Sequence, residues 1–319
     1  MVANRKQGAT PESGPARRRG ASPFHPQAGL PITGAGRRGG RVMEFTSDIV
    51  LLAAVLLASG AVTGVLAGVF GVGGGALMVP VLFETFGFLG VADAVKMPLA
   101  VGTSLAIIIP TSIRSYRGHL ARGAVDRDLL RVWAVPVVAG VLLGAAIARF
   151  APPVVMQLVF VVVAGVNAVK LISGTTRWNL GSELPGGAAL KGYGGLIGLL
   201  SSLMGIGGGQ IANIIMTLYG RSIHQAVATS SGIGVLISVP GALGYVAAGW
   251  GKPDLPGDAL GYVSLLGLLL FAPTTILTAN IGVRLAHSLS RRRLEVAFGS
   301  FLALVSLRFV HAIVMGDGG

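Results

Sequence analysis

The sequence predicts an all-α, polytopic integral membrane protein: two inverted repeats of about five transmembrane segments, with short broken helices at glycine-rich tracts. Composition, the run of apolar segments and a duplicated motif carry that prediction. Of 319 residues, 52% are apolar and only 12% charged, half the roughly 25% of an ordinary soluble domain, and the mean hydropathy is +0.75. The net charge of +13 invites a nucleic-acid partner. Nucleic-acid binders display a basic, solvated face, however, and this chain has little polar surface to display. The absence of cysteine excludes disulfides, thiolate metal sites and cysteine nucleophiles together.

Residues 1–42 stand apart. They hold eight Arg/Lys against one acid, Glu12, among many Gly, Pro, Ala and Ser. Such a segment buries too little apolar surface to offset its ordering entropy and is expected to be a disordered basic tail. A start of translation at Met43 fits the pattern equally well. The segment contributes +7 of the net charge, eight minus one, leaving +6 from seventeen Arg/Lys and eleven acids.

From Asp48 onward apolar segments fall at about 48–70, 76–90, 97–116, 129–149, 154–173, 190–204, 206–219, 226–248, 259–286 and 294–314. A spanning helix needs about 20 residues. Segments 76–90, 190–204 and 206–219 are shorter and adjoin glycine tracts, the pattern of discontinuous helices around a binding site. Unwound backbone at that depth must face protein or a water-filled cavity.

The two halves share landmarks in one order. Gly71-Val-Gly-Gly-Gly75 matches Gly205-Ile-Gly-Gly-Gly209, and Ala100-Val-Gly-Thr103-Ser104 matches Ala226-Val-Ala-Thr229-Ser230. Gly118-His119 with Gly123 matches Gly244-Tyr245 with Gly249, and Gly144–Ala148 resembles Ile281–Ala286. The expected division is a first repeat 43–173, a linker 174–189 and a second repeat 190–319. Five segments per unit would invert the second copy. With loop 117–128 placed inside, twelve Arg/Lys fall inside and three (Lys96, Arg149, Lys252) outside, as the positive-inside rule requires. The basic tail would then lie outside, so either Met43 is the start or one segment, 76–90 foremost, is re-entrant and the crossings number nine rather than ten.

Substrate-binding candidates follow from the duplication. Gly73, Gly74 and Gly75 in the first half, and Gly207, Gly208 and Gly209 in the second, free backbone groups and open the N-termini of half-helices to an anion. Close helix packing is the competing explanation. Thr103, Ser104, Thr229 and Ser230 offer hydroxyls that donate to an oxyanion, or else bond their own helix carbonyls. Gln210 and Asn213 follow the second tract, where the first offers Ala76 and Val79. Glu84 is the candidate for a coupling proton. Lys96 and His224 read as loop residues, and Lys170 and Arg308 as snorkelling residues near the unit ends. No catalytic, metal or nucleotide signature occurs, so no enzyme activity and no cofactor are expected, and uphill transport would draw on an ion gradient or the membrane potential.

The stretches Gly68–Pro80, Ala100–Ser104, Met204–Gly209 and His224–Ser230 resemble the TauE/SafE family of sulfite exporter-like membrane permeases, in one order across residues 45–314. The resemblance implies a duplicated multi-pass permease of the bacterial inner membrane, whose partners are the lipid bilayer and a small anion such as sulfite, sulfoacetate or another organosulfur or organic anion. It carries over no agreed catalytic residue. A secondary transporter working by alternating access is the expected function. A channel-like anion facilitator and a non-transporting membrane assembly partner remain alternatives, and a homo-oligomer is compatible with each.

Overall fold

The computed structural model describes residues 38–70, 75–174, 180–287 and 290–315. By contact the chain divides into Met1–Phe45 and Thr46–Gly319. Ten α-helices follow in order: α1 Arg38–Phe70, α2 Gly75–Phe88, α3 Asp93–Ala121, α4 Arg127–Phe150, α5 Val154–Ser173, α6 Gly187–Met204, α7 Gly209–Leu218, α8 Ile223–Gly249, α9 Ala272–His287 and α10 Arg291–Met315. The expected tail boundary at residue 42 falls inside α1, and the expected linker, 174–189, overlaps the first three residues of α6.

Among the described residues, α3, α4, α5, most of α8 and most of α10 are long and apolar enough to cross a hydrocarbon core, five in all. The protein is thus a multi-pass membrane protein. The second break sits where glycine was expected to put it, while residues 71–74 of the first tract lie outside the described residues. Met204 ends α6 because Gly205 turns left-handed at φ 66°, and Gly208, at φ 71°, delays α7 until Gly209; a side chain strains this backbone region and glycine does not. The segment expected as one helix over 259–286 differs. It opens as a two-stranded ribbon, β1 Ala259–Leu260 and β2 Val263–Ser264, and then enters a π-helical turn at Gly267–Phe271 before α9. Asp258 is the cause: its Oδ2 accepts from Ser264 Oγ at 2.6 Å and from Leu266 N at 3.1 Å, fixing the chain in a turn.

Two close helix interfaces repeat each other residue for residue. On α6, a Cβ on Gly194 would lie 2.9 Å from Trp133 and 3.2 Å from Pro136, and one on Gly198 would lie 2.1 Å from the Val137 carbonyl of α4. On α1, a Cβ on Gly60 would lie 2.1 Å from Thr274 and 2.9 Å from the Phe271 carbonyl, and one on Gly64 would lie 2.4 Å from the Thr275 carbonyl of α9. Gly60-xxx-Gly64 and Gly194-xxx-Gly198 are related by the same offset that relates Gly71 to Gly205. Small-xxx-small faces let membrane helices approach at backbone distance. The polar bonds across them differ in detail: Trp133 Nε1 donates to the Leu190 carbonyl at 2.7 Å, and Thr275 and Thr278 donate to the Gly60 and Ala61 carbonyls.

At the centre α3 packs antiparallel to α8. Gly102 meets Tyr245, Gly241 meets Leu105, and Gly232 meets Tyr116. Ser112 and Ser238, which occupy matching positions in the two halves, approach each other at 3.3 Å between their hydroxyl oxygens. Helix α5 packs antiparallel to α10: Phe160 meets Phe309 at 5.1 Å between ring centroids, while Gly299 lies against Leu171 and Ile172.

Replacing Gly198 or Gly64 with leucine is expected to abolish a monodisperse, folded species in size-exclusion chromatography, since the side chain would meet backbone at Gly198 and backbone together with the Thr278 hydroxyl at Gly64. Gly165→Ala, at a position with nothing within 4 Å, should leave stability unchanged or raise it by up to about 1 kcal/mol of helix propensity, read as an unchanged or raised melting temperature. A folded Gly198→Leu protein would contradict the packing.

Candidate functional site

A cavity of about 610 Å³ opens beside the second break, between α3, α5, α7, α8 and α10. Its floor is the break itself, with Ile206, Gly207 and Gly209, and Gly75 at the start of α2 closes in beside them. Gly75 lies so near that a Cβ there would be 3.2 Å from Gly207 N. Polar groups reach the cavity from Gln210 and Asn213 of α7, Ser230 and Ser231 of α8, Ser112 and Ser115 of α3, and Asn167 and Lys170 of α5.

The break is held by protein bonds. Ile206 N donates to the Ser201 carbonyl at 2.9 Å, and Ser104 Oγ to the Gly205 carbonyl at 2.8 Å. Tyr245, fully buried, donates to the Ser202 carbonyl at 3.0 Å. Ala212 N closes the first intrahelical bond of α7 on the Gly208 carbonyl, so the N–H groups of Gly209, Gln210 and Ile211 have no partner within the helix.

The structure brings six of the sequence candidates to this cavity: Gly75, Gly207, Gly209, Gln210, Asn213 and Ser230. Gly73 and Gly74 lie outside the described residues. Gly208 packs under α8, where a Cβ would meet Ile237 at 2.1 Å. Ser230 and Ser231 donate to the Val227 and Ala228 carbonyls of their own helix, so these hydroxyl protons are spent locally. Ser104 supports the break, as above. Asn213 Oδ1 is buried without a hydrogen-bond partner.

Thr103 and Thr229 are elsewhere, and they do one job twice. Both are fully buried. Thr229 Oγ1 accepts from Asp126 N at 3.0 Å, and Asp126 caps α4 by accepting from Leu129 N. Thr103 Oγ1 accepts from Ser264 N at 3.0 Å, and Ser264 in turn accepts from Gly267 N at the start of the π-helical turn. Each threonine thus anchors, in the opposite half, the residue that caps the next helix.

Glu84 lies away from the cavity. On α2 it pairs with Arg308 of α10, Oε1 to Nε at 3.1 Å, with both side chains about half exposed (51% and 43%). Lys96 pairs with Asp93 and lies 4.4 Å over the Phe83 ring. His224 is exposed in the first turn of α8.

Lys170, read from the sequence as a snorkelling residue, also lines the cavity, as do Asn167 and Glu295, which sequence reasoning did not single out. The signal existed: Gln157, Phe160 and Lys170 of α5 align at one offset with Glu295, Phe298 and Arg308 of α10. Glu295 lies 3.8 Å from Arg292, whose guanidinium also donates to the Leu171 carbonyl at 2.8 Å and thereby caps α5.

Packed apolar helices, a broken helix and a polar cavity beside the break define a polytopic membrane transporter. Similarity to known proteins gives the family. The model of the sulfite exporter TauE/SafE family matches residues 56–309, and the chain belongs to that family. It is similar to a protein of Haemophilus influenzae named "Probable membrane transporter protein", 31% identical over 254 residues, covering 78% of this chain and 94% of the relative. A "Probable membrane transporter protein" of Methanocaldococcus jannaschii is 26% identical over 269 residues, 83% of this chain and 98% of the relative. No solved structure matches.

Ser104→Ala removes the donor that reaches the Gly205 carbonyl and should cost about 1–3 kcal/mol, read as a lowered melting temperature in detergent. Glu84→Gln, which breaks a half-exposed pair, should cost less than about 1 kcal/mol. Equal effects would contradict the burial difference between the two sites.

Proposed function

We propose that the chain is a secondary transporter of the bacterial inner membrane, moving a small sulfur-containing or organic anion by alternating access of two inverted repeats. The observation that carries this reading is the cavity at the second glycine break. It is large enough for a solute, it is lined by α7 at its open N-terminal end, and it lies where the two halves meet. The positive dipole end of α7 and the amides of Gln210 and Asn213 suit an anion.

Inversion is supported by the packing. An in-plane two-fold axis makes equivalent helices antiparallel where they touch, and α3 with α8 and α5 with α10 both run so. It also makes the α1–α9 contact a copy of the α6–α4 contact, as the paired glycines are. The Thr103–Ser264 and Thr229–Asp126 bonds tie each half to the other near a helix start, which favours motion of whole bundles over bending within one. Sulfite, the solute in the family's name, fits the class of ligand.

The chain has no native cysteine, so single reporters can be placed freely. Arg122→Cys, in the turn between α3 and α4, and Gly257→Cys, between α8 and α9, should react with a membrane-impermeant maleimide from opposite faces of inside-out and right-side-out vesicles. Labelling from one face would contradict the inversion. In proteoliposomes, labelled sulfite or an alkanesulfonate should show saturable flux that an imposed ion gradient converts to accumulation. Flux without accumulation indicates a channel-like facilitator, and no flux with any anion contradicts transport.

A further inference from the structure

Among the equivalent positions at which the two halves differ, Glu84 and Leu218 bear on what the cavity holds; the inference rests on the transport reading above. Lys170 of α5 and Arg308 of α10 stand at matching places. Arg308 is answered by the chain's own carboxylate, Glu84, at 3.1 Å. By the offset that matches the glycine tracts, the counterpart of Glu84 is Leu218, the last residue of α7. Leucine brings no charge. The Lys170 ammonium, in the cavity wall, has no hydrogen-bond or ion-pair partner among the described residues. The acid in the same wall, Glu295, has Arg292 beside it at 3.8 Å. Lys170 is partly buried, and a cation withdrawn from water gains from a counter-charge.

We propose that Lys170 anchors the transported ligand, and that this ligand is an organic monoanion with a carboxylate or sulfonate head. The head supplies to Lys170 what Glu84 supplies to Arg308. Size sets the rest of the molecule. A cavity of about 610 Å³ falls within the range of about 300–1,000 Å³ for organic ligands and is some twenty times the roughly 30 Å³ share of one water. An inorganic ion of four heavy atoms leaves most of it unfilled, whereas Ile108, Ile206 and Phe298 in its wall suit a carbon skeleton. In the first half a cavity of about 490 Å³ lies beside Glu84, and there the chain's own carboxylate lines the wall.

The test uses the full chain purified in detergent, with propane-1-sulfonate, butanoate and inorganic sulfite as probes in a thermal-shift titration. The two organic anions should stabilise the wild type at lower concentration than sulfite does. Lys170→Met should weaken their apparent affinity by about tenfold to a hundredfold, the loss of one charge-assisted bond. Leu218→Glu should abolish the shift while raising the melting temperature of the unliganded protein, because it copies the Glu84–Arg308 pair. Glu84→Gln should retain the shift. An unaltered shift in Lys170→Met, a stronger response to sulfite than to the organic probes, or no shift in the wild type would each overturn the proposal. Proteoliposome flux separates it from the transport reading: wild-type flux that survives Lys170→Met removes the anchoring role and leaves transport standing, whereas no wild-type flux removes both.

Discussion

Backbone groups cannot be left unpaired inside a bilayer, and the break between α6 and α7 is the place where this chain meets that constraint. Gly205 and Gly208 take left-handed conformations, so the helical ladder stops. The freed groups turn to protein: Ile206 N to Ser201, the Gly205 carbonyl to Ser104, the Ser202 carbonyl to Tyr245. Ser201 belongs to α6 itself, but Ser104 and Tyr245 come from α3 and α8, which must therefore pack around the break. With them in place, the break lies against packed protein on one side and a partly polar cavity on the other; irregular backbone at membrane depth is tolerated where it is buried in protein or lines a water-filled cavity.

The remaining architecture follows from glycine used as spacing. Association of helices in lipid draws on van der Waals contact and interhelical hydrogen bonds rather than on hydrophobic exclusion of water. Gly60 and Gly64 bring α1 onto α9, and Gly194 and Gly198 bring α6 onto α4. Each interface joins one half to the other, so neither half completes its packing alone. The crossed threonine bonds add the same dependence at the helix starts: Thr229 holds Asp126, and Thr103 holds Ser264.

Much of this was legible in the sequence, and the reasons it was incomplete are physical. The second glycine tract and the short segment after it were readable because left-handed turns and truncated apolar runs leave compositional marks. The family was readable from the same stretches. The Gly60–Gly64 and Gly194–Gly198 correspondence went unread because glycine is common throughout transmembrane helices and only contact shows which pairs matter. Hydroxyl roles were not legible: Ser230 bonds its own helix, Ser104 a carbonyl across the break, and Thr103 a distant amide, although all three lie in matched motifs. The ribbon at 259–264 was hidden by apolar residues that suit a strand or a helix equally. Lys170 looked like an end-of-helix lysine, and only the fold shows that its helix end borders the cavity.

The account stands or falls on whether solute passes through the cavity beside the second break. In the cysteine-free chain, Ser231→Cys places a single thiol in that wall, and flux of a labelled alkanesulfonate can be compared in the same proteoliposomes before and after a methanethiosulfonate reagent. The account predicts that labelling removes the flux the variant has, and that bound substrate slows the labelling. Complete labelling with flux unchanged would contradict it.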